Sequence, residues 1–421
     1  MISFVLPCNL AILSTLDNIA ERYVKLVLAL GKHDQHYVDA YSGPPEWRAE
    51  VEQKEQTLAT IRQLASSARV DAGGNAEPRA RFLATQLKAL ITRVDMLEGK
   101  KMTFDEESAA LYDVVDSGRP GNYYEDACQE LEKLLPGTGS LAERFERQRE
   151  KLHVAPERLT AVFDAATEEA RRRTKQFIEL PENESFRIEY VTGQVWGAYN
   201  WYQGNYQSLI QVNTDLPISI SNVVHLACHE GYPGHHVYNA LLESNLAKGK
   251  GWVEFTVYPL YSPQSLIAEG TAEYGDELAF SPEDRLAFEK EVLYPLAGLD
   301  STLAEPFNAI KTAVAKLNWS STDSARRYLN GEATRQETVE WLMEYGLSTP
   351  ERAAQRVRFI EANRSYVVTY DVGLQLVRTY VESRASTVKD RWAVFTELLS
   401  TPQTPSSLAA ARGVAGTRQL I

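Results

Sequence analysis

Cysteine is scarce in this chain. The 421 residues include three cysteines, Cys8, Cys128 and Cys228, which lie far apart and form no CxxC pair. This spacing argues against a disulfide scaffold and against a zinc site built from thiolates. Because such a chain suits a reducing compartment, we expect a cytoplasmic protein.

A surplus of basic charge is also missing. The formal net charge is -13 and the isoelectric point lies near 5.2. Nucleic acids and anionic membrane surfaces are bound through clusters of Lys and Arg. We therefore expect no nucleic-acid partner and no electrostatic attachment to a membrane.

Long hydrophobic runs are absent as well. No apolar run reaches the roughly 18 residues that a membrane-spanning helix needs. The segment from Met1 to Leu13 is apolar, but the first positive residue is Arg22, so a basic region typical of a signal peptide is lacking. The sequence predicts neither a signal peptide nor a membrane anchor.

What the chain does contain is helical periodicity, with apolar residues recurring at three-and-four spacing. This pattern predicts helices over residues 15–30, 79–97, 125–135, 141–152 and 265–280. Alternating patterns predict two short strands, one around residues 186–190 and one at Ser208–Asn213. We expect an N-terminal helical region (1–180), a catalytic core with a small sheet (181–285) and a C-terminal helical region that completes the cleft (286–421).

Four of the seven histidines, His225, His229, His235 and His236, fall within twelve residues, and Glu230 directly follows His229. Imidazoles and a carboxylate are the ligand set of catalytic zinc, which keeps a fourth position for water. A glutamate beside the first histidine ligand can take a proton from that water. The cluster therefore predicts a zinc centre, Zn²⁺, with Glu230 as general base.

The segment departs from the HExxH motif, because Pro233 occupies the position four residues after His229. On an ideal helix, neither His235 nor His236 could share an ion with His229. Pro233-Gly234 can break or bulge the helix predicted over residues 218–229. Both histidines remain candidate ligands, with a slight preference for His236, whereas His225 is expected to pack beside the site.

A third ligand is predicted about 40 residues further on, where Glu269, Glu273 and Glu277 share one helical face. In such an arrangement the first carboxylate can bind the metal, and the second can hydrogen-bond a ligand histidine and fix its tautomer. We assign these roles to Glu269 and Glu273.

Together, these two motifs resemble a known bacterial family. HEGYPGHH at 229–236 and EGTAEYGDE at 269–277 are similar to HExxPGHH followed by EGWAxYxE in the family called domain of unknown function 885, grouped with gluzincin-type metallopeptidases. Thr271 stands where that family has tryptophan. Similar segments extend over roughly residues 185–380. The resemblance implies a mainly α fold, a gluzincin-like helical metallopeptidase with a small β-sheet beside the zinc cleft.

The resemblance also implies how a substrate is held. An edge strand beside the cleft would bind an extended peptide by strand addition, and Ser208–Asn213 is the candidate strand. Tyr370 would donate a hydrogen bond to the oxyanion of the tetrahedral intermediate, with Arg364 or Tyr366 as partner. Packing inside a helix is the alternative role for these tyrosines.

The function that these patterns favour is a zinc metallopeptidase in which Glu230 activates the zinc-bound water to attack a peptide carbonyl. One alternative is a zinc-dependent amidase or esterase acting on a small non-peptide substrate. Another is a non-catalytic peptide-binding protein with a degenerate zinc site. Arg326, Arg327 or Arg364 could bind a substrate carboxylate, although surface ion pairing is the competing role for each.

Overall fold

The structure, a computed structural model, describes the backbone of residues 8–411 and the side chains of residues 15–411. The first residues of the apolar segment Met1–Leu13 lie outside the described part of the chain. So do the last residues of the C-terminal region predicted over 286–421. The α-helices are α1 Cys8–Gly31, α2 Pro45–Gln53, α3 Leu58–Gly73, α4 Pro78–Leu97, α5 Phe104–Leu111, α6 Tyr123–Leu134, α7 Leu141–Glu150, α8 Pro156–Thr174, α9 Ile220–Leu226, α10 His235–Leu242, α11 Pro263–Ala279, α12 Pro282–Phe288, α13 Tyr294–Ala297, α14 Ala304–Val314, α15 Ser320–Leu329, α16 Arg335–Glu344, α17 Pro350–Asn363, α18 Val368–Glu382, α19 Val388–Leu399 and α20 Pro405–Ala410. The strands are β1 Val38–Tyr41, β2 Ser185–Val191, β3 Ala198–Gly204, β4 Gln207–Asn213 and β5 Val257–Pro259.

The predicted fold class is confirmed at its coarser level, because the chain is mainly helical and carries small sheets. Helix α4 illustrates why the helices form. Its apolar residues recur every three or four positions, so one face of the helix is buried, while residues such as Arg81 lie on the exposed face. The buried apolar residues of α4 are Ala80, Phe82, Leu83, Leu87, Ala89, Leu90 and Val94.

The larger sheet has three strands in the order β2-β4-β3. Strand β4 is parallel to β2 and antiparallel to β3, and Ile210 lies opposite Ile188 on one side and Asn200 on the other. The prediction that Ser208–Asn213 forms an exposed edge strand is therefore wrong, because β4 is paired along both sides. The strand on the edge nearest the cleft is β3, which the sequence patterns did not reveal. A second sheet joins β1 and β5 in antiparallel fashion.

One hydrophobic core extends through all three predicted regions. Its buried members run from Leu16 in α1, through Val224 in α9, to Leu408 in α20. The division at residues 180 and 285 remains a prediction. No helix in the described part of the chain is both long enough and apolar enough to cross a bilayer.

Helices α11 and α18 approach each other closely enough that their backbones touch. A Cβ atom on Gly270 would lie 2.5 Å from the backbone carbonyl of Gly373, and one on Gly373 would lie 2.9 Å from the carbonyl oxygen of Leu266. Backbone atoms cannot move aside as a side chain can, so only glycine fits at this crossing. The contact fixes α11, which carries Glu269, against α18 and the turn before it.

Replacing Gly270 with alanine is expected to destabilise the fold by about 1–3 kcal/mol, since the added methyl overpacks a backbone contact. Gly73→Ala is the matched control, because Gly73 also lies in a helix and a Cβ there would meet nothing within 4 Å. That control should change stability by less than about 1 kcal/mol, and in the stabilising direction. Urea denaturation of both variants measures the difference, and equal stabilities would contradict the close crossing.

Candidate metal centre

The predicted helix before the histidine cluster is present and ends in an irregular turn. Helix α9 continues as a π-helical turn over Ala227–Gly231, which carries His229 and Glu230. The Tyr232-Pro233 peptide bond is cis, and α10 begins at His235. The chain thus contains both the bulge and the break that the departure from HExxH required.

Gly234 turns the chain back against the π-helical segment. Its N–H donates to the carbonyl oxygen of Cys228 over 2.9 Å. A Cβ atom on Gly234 would lie 1.9 Å from the carbonyl oxygen of His229, so no other residue fits without moving the backbone. As a result, the first residue of α10, His235, faces His229.

Three side-chain atoms converge at this point. Nε2 of His229 lies 3.2 Å from Nε2 of His235 and 3.2 Å from Oε2 of Glu269, and Nε2 of His235 lies 3.5 Å from the same oxygen. Zinc bonds of about 2.0–2.1 Å in tetrahedral geometry separate ligand atoms by about 3.3–3.4 Å. The three separations therefore fit one shared ion.

The Glu269 carboxylate is held by one oxygen and open at the other. Its Oε1 accepts a hydrogen bond of 2.6 Å from the hydroxyl of Tyr366, in the 3₁₀ turn that precedes α18. Its Oε2 is buried and has no directed hydrogen bond from any described residue. A buried carboxylate oxygen without a donor is costly, and a cation would satisfy it.

Glu273 lies one turn after Glu269, on the outer side of His229. Its Oε1 is 3.4 Å from Nδ1 of His229 and 4.0 Å from Nε2 of His225. Nδ1 of His225 in turn lies 3.0 Å from the carboxylate of Asp276. Glu273 thus occupies the position expected of a group that orients His229, and His225 lies beside the site.

His236 points away from this cluster. It is fully buried, with Nδ1 2.9 Å from the Ser208 hydroxyl and Nε2 3.0 Å from Oε2 of Glu184. Successive residues of a helix point about 100° apart, so only one of the two histidines that begin α10 can face His229. The structure reverses the preference stated from the sequence, because it brings His235 to the cluster and commits both ring nitrogens of His236 elsewhere.

Glu230 lies beneath the cluster and is tied to β3. The side-chain amide of Asn200 donates 2.7 Å to the backbone carbonyl of Glu230. No described residue donates a hydrogen bond to its carboxylate, which borders two cavities. Burial raises the pKa of Glu230 above its ordinary value, although His229 and His235 partly offset this effect.

The buried carboxylates create a strongly negative environment at the histidines. Burial alone lowers the pKa of His229, but the Glu269 contact and the charges of Glu273 and Glu230 raise it to about 10. Burial raises the pKa of Glu269, yet His235 and His229 lower it far below its ordinary value. This environment favours a bound positive charge.

Tyr370 stands over the site from α18. Its ring centre is 6.5 Å from that of His229, with the ring planes 27° apart. Burial, and next the Glu269 charge, raise its pKa well above the ordinary value, so the hydroxyl remains a donor. Of its two expected partners, Tyr366 instead donates to Glu269 and Arg364 to Glu107.

The site opens into two cavities that share Glu230, His229 and Tyr370. The first cavity, of about 430 Å³, includes Asp39, Asn239 and Tyr261, and the second, of about 490 Å³, includes Arg352, Gln355 and Arg356. Val195, Trp196 and Ala198, at the entry to edge strand β3, border both cavities. The two cavities meet at these shared residues and are together called the cleft.

The three arginines weighed in the sequence between carboxylate binding and ion pairing do not line this cleft. Arg326 is paired with Asp105, Asp116 and Asp323, and Arg364 is paired with Glu107. Arg327 packs over the Trp341 ring. Arg352 and Arg356, which the sequence analysis did not single out, line the second cavity instead. The sequence signal that could have indicated them is their spacing of four residues, which places both on one face of a helix.

The buried network around His236 is expected to support the fold. Glu184→Gln should lower the free energy of unfolding by about 2–3 kcal/mol at pH 7, because the carboxylate accepts from His236, Tyr232 and Arg171. Burial raises the pKa of Glu184, but these contacts outweigh it and lower the pKa below its ordinary value of 4.5. Its contribution is therefore present above about pH 4.5 and lost as the pH falls further.

Urea denaturation from pH 7 to pH 3 tests this network, with Glu179→Gln as the control because Glu179 is exposed. The gap between the Glu184→Gln variant and wild type should narrow as the pH falls. A gap that is absent at pH 7, or that widens in acid, would contradict the assignment.

No family model matches the chain, and no curated protein matches it. The chain is similar to a solved structure from Colwellia psychrerythraea, described as a "putative lipoprotein", with 14% sequence identity and a TM-score of 0.49. It is also similar to a "putative lipoprotein of unknown function" from Shewanella oneidensis, with 12% identity and a TM-score of 0.49. These matches cover 84% and 87% of this chain, which spans 65% and 75% of the two proteins.

Proposed function

We propose that the protein is a zinc-dependent hydrolase, a gluzincin-like metallopeptidase, whose Zn²⁺ is held by His229, His235 and Glu269. The observation that carries this proposal is the convergence of three ligand atoms at separations of 3.2, 3.2 and 3.5 Å. One of these atoms, Oε2 of Glu269, is buried and accepts no hydrogen bond of good geometry from the described residues, and a bound cation would satisfy it.

The choice of zinc follows from the ligand set. Two imidazoles with one carboxylate are typical of catalytic zinc, and hard cations such as Mg²⁺ prefer oxygen ligands throughout. The contacts behind these ligands also fit, because Tyr366 orients Glu269 and Glu273 lies beside Nδ1 of His229. Such supporting groups hold ligands in place and tune their basicity.

Two residues of the chain would carry the chemistry around the ion. Zinc at this point would supply Lewis acidity and a water of lowered pKa. Glu230, whose carboxylate faces the cleft without a protein donor, would take the proton from the attacking water and return it to the leaving amine. Tyr370, which keeps its hydroxyl proton, would donate to the oxyanion.

A peptide substrate is favoured by the strand beside the site. Strand β3 is paired only with β4 in the described chain, and it borders both cavities next to Glu230. An extended peptide added to this edge would place a carbonyl near the histidine cluster. The Asn200 bond to Glu230 holds the strand and the base together.

The purified protein is expected to contain about one zinc per chain by mass spectrometry of metals. His235→Ala and Glu269→Ala should each lose it, because two ligands hold zinc much less tightly than three. Tyr366→Phe should weaken zinc binding by about 10- to 100-fold, since Glu269 loses its orienting donor. Zinc retained by both ligand variants would exclude this site.

Two histidine variants serve as controls for that experiment. His33→Ala changes an exposed histidine that contacts the carbonyl of Gln56, and it should keep full zinc content. His236→Gln should lose stability but keep zinc in its folded fraction, because His236 faces Glu184 and Ser208. If folded His236→Gln loses zinc while His235→Ala retains it, His236 rather than His235 is the ligand.

Glu230→Gln is expected to keep zinc and the fold while peptide hydrolysis falls by about 10²- to 10⁴-fold, because a general base is removed. Hydrolysis of a mixed peptide pool, followed by mass spectrometry, measures this loss against Glu179→Gln. Full activity in the Glu230→Gln variant would exclude it as the base. Turnover of small amides or esters without any peptide cleavage would favour the non-peptide hydrolase, and zinc binding without turnover would favour the binding protein.

A further inference from the structure

We propose that the second cavity binds the C-terminal carboxylate of a peptide substrate through Arg352 and Arg356, so that the protein removes residues from the C-terminal end. This assignment depends on the proposed function, because it names the substrate class of the same cleft. Both arginines lie on α17, one helical turn apart, and both line the cavity together with His229 and Glu230.

Arg356 is held in place through Nε, while its terminal N–H groups make no hydrogen bond to the described residues. Its Nε donates 2.7 Å to the hydroxyl of Ser321, and its guanidinium lies 5.2 Å from the Phe359 ring and 5.9 Å from the Tyr370 ring. Its two terminal nitrogens donate to no described residue. A planar guanidinium fixed through Nε presents the fork that binds a carboxylate with two parallel hydrogen bonds.

Arg352 adds a second positive charge that is not paired with a carboxylate in the described chain. One terminal nitrogen donates 3.3 Å to the carbonyl of Pro217, and no carboxylate pairs with it among the described residues. Burial, and next the charge of Arg149, lower its pKa to about 10, so it stays charged at neutral pH. Two partly buried cations that line one cavity favour the binding of an anion there.

The acidic groups of the second cavity form no ion pair with either arginine in the described chain. The carboxyl groups of this cavity are those of Glu230, Glu273 and Asp371. Asp371 accepts a hydrogen bond of 2.8 Å from Thr322. Burial, the largest effect, raises the pKa of Asp371 to about 6, although Thr322 and Arg356 lower it. The cavity therefore contains two cations without an ion-pair partner, together with the proposed base.

The distance from the arginines to the metal centre limits how many residues fit between them. The Arg356 guanidinium lies 5.9 Å from the Tyr370 ring, and that ring lies 6.5 Å from the His229 ring. Arg356 is thus within about 12 Å of His229, while an extended peptide advances about 3.3–3.6 Å per residue. A carboxylate bound there belongs to a residue at most about three positions beyond the cleaved bond.

The direction of β3 agrees with this placement. The second cavity meets the chain at Val195–Ala198, where β3 begins, whereas the first cavity reaches on to Trp201. A peptide laid antiparallel to β3 therefore runs with its C-terminal end toward the second cavity. Among the described residues, no Lys or Arg lines the first cavity, and the carboxyl groups that line it are those of Asp39, Glu230 and Glu269. The charges of the cleft thus match the polarity of a peptide.

The test uses N-acetylated pentapeptides of mixed sequence, each prepared as the free acid and as the C-terminal amide. Zinc-loaded wild type is expected to cleave the acids at least about 10-fold faster in kcat/KM, releasing one to three C-terminal residues. Arg356→Gln and Arg352→Gln should each bring the acid-to-amide ratio toward one, and Arg356→Lys should fall between, because it keeps charge without the fork. Arg358→Gln, an exposed position on the same helix, should keep the wild-type ratio.

Calorimetric binding separates this site from catalysis. The zinc-loaded Glu230→Gln variant should bind the acid peptides at least about 10-fold more tightly than the amides, and adding Arg356→Gln should remove that preference. Equal cleavage and equal binding of acids and amides would overturn the carboxylate site while leaving the peptidase intact. Acid-selective binding that depends on Arg356, without hydrolysis of any peptide, would keep the carboxylate site and overturn the proposed function.

Discussion

The close approach of Gly234 to the carbonyl of His229 is the constraint on which the centre depends. With the π-helical turn at Ala227–Gly231, it replaces the single straight helix of an HExxH motif by two segments that fold against each other. Two histidines six positions apart then face one point, which a regular helix forbids. The Glu269 carboxylate contacts both histidines of that pair, and Glu230 directly follows the first of them.

The adjacent histidines at the start of α10 divide two tasks. His235 faces the open carboxylate oxygen of Glu269, while His236 joins a buried network with Glu184 and Ser208. In the first arrangement, Oε2 of Glu269 and Nδ1 of His229 lack hydrogen-bond partners among the described residues. In the second, both ring nitrogens of His236 have a partner. A cluster with unsatisfied buried polar atoms thus lies directly beside one whose polar atoms are paired, and the paired network holds the start of α10 in place.

Local sequence patterns predict the helices and the spacing of the carboxylates. The remaining features depend on tertiary contacts, which local patterns do not determine. The period of apolar residues located α4 and α11, and four-residue spacing placed Glu269 and Glu273 on one face. The choice between His235 and His236 depended on backbone dihedrals after the break, which spacing does not determine. Strand order likewise depends on which strands meet in space. The pattern of Ser208–Asn213 predicts a strand but does not show that β3, rather than this strand, forms the edge of the sheet. Arg352 and Arg356 gained significance only from the cavity that they line.

The backbone contact between Gly270 and Gly373 has a consequence for how this protein can vary. Because no side chains separate the two helices, repacking cannot correct a change of register between them. One residue inserted in α11 between Gly270 and its neighbours would rotate the following turn by about 100° and carry Glu273 away from His229. Length changes are therefore tolerable in the loops around this helix pair, whereas the pair itself can change only by substitution. The positions of Glu269 and Glu273 relative to His229 depend on that fixed spacing.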